Sequence, residues 1–317
     1  MKAVRIHAFG SADVMQLEEV PKPQPGADEV LIKVRAASVN PVDYKIRSGE
    51  FKSIDMMMPL TLGRDISGTV ESVGRDVADL KIGDEVYALL DRKHGGYAEF
   101  VVTTCEGVAL KPASIDHVHA AAVPLAATTA WQGLFDHGRL KEGERVLIHG
   151  AAGGVGHFAV QFAKDHGAHV IATARAEDGD LLRELGADEI IDSKGERFEE
   201  RTHDIDLVLD LVAGEIQQRS WKALKEGGRI VSTLQLPSQV EAARHHAEGE
   251  AFMAEPNHDE LTEIGRLIDA GRVRVVVQQI LPLYEVRRAH EHMEHDHVRG
   301  KMVLAIDDPR PNGRPAP

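Results

Sequence analysis

Small residues follow an apolar segment in the middle of the chain, at a spacing typical of a turn that binds nucleotide phosphates. Arg145–His149 is strand-like, and Gly150 and Ala151-x-Gly153-x-x-Gly156 come directly after it. Small side chains are needed there because the backbone must approach a pyrophosphate and the next helix must pack closely on the sheet. The helix N-terminus then offers N–H groups to the phosphates. The pattern predicts a dinucleotide site formed by Ala151, Gly153, Gly154, Val155 and Gly156.

The end of the following strand, in "HVIATAR", indicates which dinucleotide binds. An acidic residue at this place would bind the free 2′-hydroxyl of NAD and repel a 2′-phosphate. Thr173 and Ala174 occupy the place instead, and Arg175 follows them. The sequence therefore favours NADPH. Glu177 and Asp178 leave open the alternative that Arg175 forms only a surface ion pair.

Two hydrophobic patterns divide the chain. The first 110 or so residues alternate apolar and polar over short runs separated by proline and glycine turns, which predicts a mostly β domain. From about residue 120, segments of helical period alternate with fully apolar strands, which predicts a parallel sheet covered on both faces. The last elements, from "VRVVVQQI" to "GKMVLAI", either complete that sheet or return to the first domain.

Length and composition narrow the possible partners. A chain of 317 residues is long enough for two domains. The net charge of -14 is spread along the chain without a basic stripe, which argues against nucleic acid or an anionic membrane as a partner. No apolar segment approaches the roughly 20 residues that cross a bilayer, so we expect a cytoplasmic protein. The single cysteine, Cys105, excludes an intrachain disulfide and a cysteine-based zinc cluster.

Seven motifs occur in a specific order: "SVNPVDYKIRSG", "GRDISG", "GGYAEFV", "LAATTAW", "GAAGGVG", "LVLDLVAG" and "RGKMVL". This set resembles the medium-chain dehydrogenase/reductase superfamily, above all its zinc-free quinone oxidoreductase branch, which includes enone and alkenal reductases. The resemblance implies an α/β fold in which a Rossmann domain, a doubly wound parallel sheet, is inserted into a GroES-like, mostly β catalytic domain. The implied limits are 1–121 and 272–308 for the catalytic domain, 122–271 for the Rossmann domain, and 309–317 for a disordered tail. A homodimer is also implied.

The resemblance makes the metal-ligand positions informative. Zinc enzymes of this superfamily carry a catalytic cysteine and, further along, a Gly-His-Glu ligand motif. Here Asn40 stands in the cysteine's place, and Gly63-Arg64-Asp65 replaces Gly-His-Glu. Arginine stays protonated and cannot bind a metal. We therefore expect no protein-bound metal, and alcohol oxidation by a Lewis acid is disfavoured.

Hydride transfer without a metal suits acceptors that are already electron-poor. Quinones and α,β-unsaturated carbonyl compounds fit, because the incoming charge is delocalised onto an oxygen that hydrogen bonds stabilise. The resemblance implies Asn40 as an amide donor to that oxygen or as a residue that orients substrate, Tyr44 as proton donor or oxyanion partner, and Asp43 and Arg64 as the polar floor of the site. Asn40 and Tyr44 are expected outside the core. Turn formation by "NPVD", packing by Tyr44 and an ion pair by Arg64 are the structural alternatives.

Further cofactor contacts also come from the resemblance. Thr129 in "LAATTAW" matches the family's threonine beside the nicotinamide, and Thr128 is the alternative. The main chain after the last core strand is expected to line the carboxamide of the nicotinamide. These residues are Ser232, Thr233 and Leu234.

The adenosine end departs from the family pattern. Ser193 stands where the family often has a tyrosine, and Lys194 follows it. Lys194 is therefore a second candidate for binding the 2′-phosphate of NADPH.

Four histidines cluster near the end of the chain: His290, His292, His295 and His297. One interpretation is a transition-metal site. We favour a solvated helix end, because a designed metal site needs partners that orient the imidazoles, and the sequence offers no fixed set of them.

Together these observations predict an NADPH-dependent reductase that needs no metal. It transfers hydride to a small-molecule substrate, a quinone or an enone. An enoyl-thioester reductase is an alternative, since it uses the same hydride geometry. A non-catalytic NADPH-binding sensor is another, because a fold and a cofactor site do not by themselves imply turnover.

Overall fold

The computed structural model describes residues 1–51 and 57–306, and contacts divide the chain into two compact units. Unit 1 comprises Met1–Leu125, Pro256–Asp269 and the segment from Val275 onward, and unit 2 comprises Ala126–Glu255 and Ala270–Arg274. This division differs from the predicted limits at residues 122–125 and 256–269, which we placed in the Rossmann domain, and at residues 272–274, which we placed in the catalytic domain. The predicted tail, 309–317, lies outside the described residues.

The strands are numbered in chain order over the described residues. They are β1 (Lys2–Ile6), β2 (Met15–Glu19), β3 (Glu29–Val39), β4 (Leu60–Thr61), β5 (Asp65–Val73), β6 (Glu85–Leu89), β7 (Phe100–Thr104), β8 (Val108–Leu110), β9 (Arg145–His149), β10 (His169–Ala174), β11 (Glu189–Asp192), β12 (Ile205–Asp210), β13 (Leu224–Ser232), β14 (Glu248–Ala251), β15 (Val277–Pro282) and β16 (Lys301–Ala305).

The α-helices are numbered in the same way. They are α1 (Pro41–Ser48), α2 (His117–Ala121), α3 (Pro124–Trp131), α4 (Gly156–Asp165), α5 (Gly179–Glu184), α6 (Phe198–Arg201), α7 (Gly214–Ser220), α8 (Gln239–Arg244), α9 (His258–Asp269) and α10 (Val286–His295). No helix among the described residues is both long enough and apolar enough to cross a bilayer.

Unit 1 is mostly β, as the period-two alternation predicted. Its larger sheet has the order β15-β16-β3-β5-β6-β8, with β7 also paired to β3, and a smaller sheet has the order β2-β1-β4. The long strand β3 lies between β16 and β5 and is antiparallel to both. Its apolar side chains, such as Val30, Ile32 and Val34, are buried in the core of this unit.

The last strands of the chain belong to unit 1. β16 pairs antiparallel with β3, with Met302 opposite Val39, and pairs parallel with β15. This pairing decides between the two alternatives that the sequence left open for these elements. It also brings the start of β16 beside the end of β3.

Unit 2 contains the predicted parallel sheet. Over its described residues the strand order is β11-β10-β9-β12-β13-β14, and every neighbouring pair is parallel. This is the order of a dinucleotide-binding doubly wound fold, in which ligands bind outside the carboxyl ends of the strands. All residues of β12 are buried, as expected for a strand covered on both faces.

Candidate active site and nucleotide turn

Three neighbouring strands of unit 1 bring polar side chains together at one end of the large sheet. Ser38, near the end of β3, lies opposite Asp65, the first residue of β5. On the other side of β3, Met302 is opposite Val39, so Lys301 comes beside Asn40. The antiparallel register therefore brings Ser38 and Asn40 together with a carboxylate and an ammonium group.

These side chains form a buried hydrogen-bonded network. The Asn40 amide donates to Asp65 Oδ2 at 2.9 Å, and its Oδ1 accepts from the Lys301 ammonium. Ser38 donates to the same carboxylate oxygen at 2.6 Å, and the Leu125 backbone N–H donates to Asp65 Oδ1 at 2.6 Å. Lys301 Nζ lies 3.5 Å from Asp65 Oδ2. The network contains a paired ammonium and carboxylate inside unit 1.

Helix α1 begins at this network and carries Asp43 and Tyr44. Pro41 occupies its first turn, where a missing N–H costs nothing, and Asp43 Oδ2 accepts from the Asn40 backbone N–H at 2.8 Å. The helix ends at Gly49, whose φ of 84° is the left-handed conformation that glycine adopts without strain. Local sequence therefore fixes where Asp43 lies relative to Asn40.

Asp43 is fully buried, and burial raises the pKa of its carboxyl group to about 6. The hydrogen bonds from the Asn40 backbone and from the Tyr97 hydroxyl, at 3.0 Å, oppose that rise. Asp43 Oδ1 has no hydrogen-bond partner among the described residues. Asp43 is therefore a buried acid that keeps its proton to an unusually high pH.

Tyr97 and His290 extend this arrangement away from Asp43. His290 Nε2 lies 3.3 Å from the Tyr97 hydroxyl, and the two rings meet edge to face. Burial lowers the pKa of His290 to about 3, so this imidazole is neutral. The prediction that the histidine cluster is a solvated helix end is wrong for His290, because one face of α10 packs into the core and carries it inward.

Tyr44 and Arg64 are only half-buried. Partial burial raises the pKa of the Tyr44 phenol, so Tyr44 keeps its proton at neutral pH. The Arg64 Nε donates to the Leu90 carbonyl at 2.9 Å, which fixes the direction of its side chain. Arg64 and Asp43 line one pocket of unit 1 together with Phe51 and Leu62. The structure thus brings two of the predicted site residues to the same depression.

Asn40 does not lie where we expected it. We predicted that it is outside the core, but its exposed fraction is 3% and both ends of its amide are hydrogen-bonded inside the protein. The sequence "NPVD" resembles a surface turn, yet here it connects a buried strand to a helix, and both Asn40 and Asp43 are buried although Pro41 is exposed. With its amide engaged by Asp65 and Lys301, Asn40 orients its surroundings rather than serving as a free donor.

We did not predict Lys301, Asp65 or Tyr97 as site residues from the sequence. All three lie in the ordered motifs described above: Lys301 in "RGKMVL", Asp65 in "GRDISG" and Tyr97 in "GGYAEFV". A signal was available for Lys301, because a lysine at the start of an apolar strand is rarely buried unless it is paired.

In unit 2, the turn after β9 has the close backbone contacts that its glycines predicted. A Cβ on Gly156 would lie 2.3 Å from the Gly150 carbonyl oxygen and 2.6 Å from the Ala151 Cα. Gly150 itself has a φ of 70°. The turn therefore requires glycine at both positions, and it leads directly into the N-terminus of α4. This geometry fits a pyrophosphate, which needs a backbone without side chains and N–H donors at a helix start.

The predicted 2′-phosphate residues lie on neighbouring strands. Arg175 follows β10 and Lys194 follows β11, and the Ser193 N–H donates to the Ala174 carbonyl at 2.8 Å, so the two strand ends are adjacent. Lys194 is exposed. Arg175 lies 3.7 Å from Glu177, an ion pair between half-exposed side chains that a phosphate could replace.

The other predicted cofactor residues differ in exposure. Thr173 is buried, with its hydroxyl 2.9 Å from His149 Nδ1, and the Ser232 hydroxyl donates to Asp210 at 3.0 Å. The side chains of Thr173 and Ser232 are therefore engaged in hydrogen bonds inside unit 2, so a ligand would contact the main chain at these residues. Thr233 is half-buried and Leu234 is exposed. In α3, Thr129 is buried like its neighbour, the predicted alternative Thr128.

The chain matches known proteins along most of its length. A family model described as the alcohol dehydrogenase GroES-like domain matches residues 26–113, and one described as zinc-binding dehydrogenase matches residues 185–304. The NADPH-dependent alkenal/one oxidoreductase of Arabidopsis thaliana, named as chloroplastic, is 38% identical over 316 residues, which cover 96% of this chain and 79% of that protein. The quinone oxidoreductase structure from Coxiella burnetii has a TM-score of 0.91 and 36% identity, with 96% and 99% of the two chains covered.

The chain belongs to the quinone oxidoreductase family of medium-chain dehydrogenase/reductases. A further structure similar to this chain is that of Escherichia coli quinone oxidoreductase complexed with NADPH, with a TM-score of 0.87, 28% identity and coverage of 96% and 100%. Membership in the quinone oxidoreductase family confirms the α/β fold class that the ordered motifs implied.

One matching family model is described as zinc-binding, but the residues at the metal-ligand positions of this chain are Asn40, Arg64 and Asp65. Zinc takes thiolate, imidazole or carboxylate ligands. Asn40 and Arg64 supply none of these, and the carboxylate of Asp65 already binds Ser38, Asn40 and the Leu125 N–H. The ammonium of Lys301 lies beside the same groups. These residues do not fit a zinc ion.

Proposed function

We propose that this protein is an NADPH-dependent reductase of quinones or α,β-unsaturated carbonyl compounds that uses no metal. One observation carries the proposal: the chain keeps a dinucleotide turn that requires glycine, while an amide and an arginine stand at metal-ligand positions and a buried lysine lies beside them. The names of the relatives, an alkenal/one oxidoreductase and a quinone oxidoreductase, support the same acceptor classes.

NADPH, when bound, supplies a hydride to the electron-poor carbon of the acceptor. The turn from Gly150 to Gly156 would hold its pyrophosphate through backbone N–H groups and the start of α4. Arg175 and Lys194 would neutralise the 2′-phosphate. Thr129 and the main chain of Ser232, Thr233 and Leu234 would orient the nicotinamide.

On the acceptor side, the chain must stabilise negative charge that reaches the substrate oxygen. Tyr44 is half-buried and protonated at neutral pH, so it can donate a hydrogen bond or a proton to that oxygen. The guanidinium of Arg64 supplies positive charge next to the pocket that it lines with Asp43. Asn40 positions the neighbouring residues and does not itself donate to the substrate, because its amide is already engaged by Lys301 and Asp65.

The direct test is NADPH oxidation, followed by absorbance, with a panel of quinones, enones and enoyl-CoA esters. We expect turnover of quinones or simple enones and little turnover of enoyl-CoA esters. Turnover of enoyl-CoA esters alone would assign an enoyl-thioester reductase. Tight NADPH binding without oxidation by any acceptor would assign a non-catalytic sensor and refute the proposal.

The homodimer and the cytoplasmic location remain predictions. A charge of -14 without a basic stripe still argues against nucleic acid as a partner. Sedimentation equilibrium of the full chain tests the dimer, since the monomer mass is 34.6 kDa.

A further inference from the structure

Lys301 is an ammonium group at the start of an apolar strand. Its exposed fraction is 2%, and the residues that follow it in β16, Met302, Val303 and Leu304, are buried apolar side chains. Burial lowers the pKa of Lys301, while Asp65 and Asp43 oppose that change. A buried ammonium destabilises a protein unless polar partners compensate it. The structure supplies these partners in Asn40 and Asp65.

The two charges fix the direction of the Asn40 amide. Its oxygen accepts from the Lys301 ammonium, and its nitrogen donates to the Asp65 carboxylate at 2.9 Å. A flipped amide would direct its N–H groups at the ammonium and its oxygen at the carboxylate. The ion pair therefore holds Asn40 in one orientation.

The same pair connects the two segments that carry the proposed substrate contacts. Asn40 is the residue before α1, which carries Tyr44, and its backbone N–H also holds Asp43 at 2.8 Å. Asp65 directly follows Arg64. Lys301, on a third strand, contacts the side chains of both Asn40 and Asp65. One ammonium thus fixes the position of α1 relative to the Arg64 segment.

We propose that Lys301 is a positioning residue that serves as an internal cation beside the metal-ligand positions: it fixes the Asn40–Tyr44 and Gly63–Asp65 segments relative to each other for reduction of the acceptor. This inference rests on the proposed function for its kinetic test. It goes beyond that function because it assigns a role to a residue that need not touch substrate or cofactor.

The kinetic test uses Lys301→Met, Asp65→Asn and the double variant, with Arg229→Met as the matched control. Arg229 forms a partly buried ion pair with Glu144 at 2.6 Å within unit 2, whereas both proposed segments belong to unit 1. Each protein is compared by kcat and KM for an enone, by its Kd for NADPH, and by its Tm. The double variant removes both charges, so it leaves no uncompensated buried charge and should fold even if a single variant does not.

We expect Lys301→Met and Asp65→Asn each to lower kcat about tenfold or more, while the Kd for NADPH changes by less than about twofold. The double variant should lose about as much kcat as either single variant, because the two substitutions remove the same constraint on Asn40. Arg229→Met should lower Tm and leave kcat close to wild type. A double variant with wild-type kcat, or a control that loses as much kcat at the same Tm, would overturn the proposal.

A second readout needs no turnover. Among the described residues, the groups that face Asp43 are Asp65 on β5, Lys301 on β16, Arg64 before β5 and the Tyr97 hydroxyl, and Lys301 lowers the pKa of Asp43 while Asp65 raises it. Carboxyl carbon NMR of the full chain should therefore show a higher pKa of Asp43 in Lys301→Met than in wild type, with no change in Arg229→Met. An unchanged pKa would contradict the internal cation. If the wild type reduced no acceptor but this pKa rose, only the proposed function would fail.

Discussion

The hydroxyl of Tyr97 lies 3.0 Å from Oδ2 of Asp43, and both side chains are fully buried. A buried phenol therefore donates to a buried carboxyl group whose other oxygen has no hydrogen-bond partner among the described residues. Because burial raises the pKa of Asp43 to about 6, this carboxyl group changes charge within the pH range of most assays.

The first prediction concerns stability. The pKa of Asp43 is about 6 in the folded chain and 3.8 as a free side chain, so the folded state holds the proton over this range while the unfolded state releases it. Asp43 therefore contributes fully to the free energy of unfolding at low pH. This contribution decreases as pH rises through the two pKa values, by about 3 kcal/mol in total. Asp43→Asn does not titrate, so its stability relative to wild type should increase between about pH 4 and pH 7. Urea unfolding of both proteins measures the difference, and a constant difference would contradict the shifted pKa.

The second prediction concerns the choice of cofactor. NADPH should bind at least about tenfold more tightly than NADH, which requires only about 1.4 kcal/mol of differential interaction. Arg175→Ala and Lys194→Ala should weaken NADPH binding and leave NADH binding nearly unchanged. Arg183→Ala is the matched control, because Arg183 pairs with Asp180 on the surface of α5. Titration calorimetry decides the matter, and equal affinities of the wild type for both nucleotides would refute the assignment.

The third prediction concerns the glycine turn. In Gly156→Ala, the new Cβ would lie 2.3 Å from a backbone oxygen, so the turn itself must move. NADPH affinity should fall by about tenfold or more, because the pyrophosphate loses its backbone contacts. Gly179→Ala is the control, since its nearest neighbour would be the flexible end of Arg183 at 3.7 Å. Retention of wild-type affinity in Gly156→Ala would place the nucleotide elsewhere.

The fourth prediction separates Tyr44 from Asn40. Tyr44→Phe should lower kcat for an enone by about a hundredfold, or about 3 kcal/mol, with Tm and NADPH affinity close to wild type, because it removes one donor to the developing oxyanion. A quinone spreads the charge more widely and should be less affected. Tyr284→Phe is the control, since Tyr284 is exposed. Asn40→Ala should lower kcat and Tm together, because it removes the buried bridge between Lys301 and Asp65. Wild-type turnover by Tyr44→Phe would leave solvent or another residue as the donor.

The sequence was most informative where a local pattern determines the structure. The spacing of Gly150, Gly153 and Gly156 predicted a turn between strand and helix, and the apolar strands around it predicted the parallel sheet. The site was predicted less well, because its key contacts join residues far apart in the chain. No local pattern shows that Lys301 lies beside Asn40, since that depends on the register of β16 on β3. The burial of Asn40 and His290 was missed for the same reason, because polar residues in a turn or a helix read as exposed when their neighbours in space are unknown.

In the proposed function, hydride passes from NADPH to an electron-poor acceptor without a metal. The most direct measurement is the transfer of deuterium from NADPH labelled at C4 of the nicotinamide to an enone, after exhaustive treatment of the protein with EDTA and phenanthroline. We expect full turnover, with deuterium at the β-carbon of the saturated product. Loss of turnover on chelation with recovery on adding zinc alone, or a product without deuterium from either C4-labelled epimer, would contradict it.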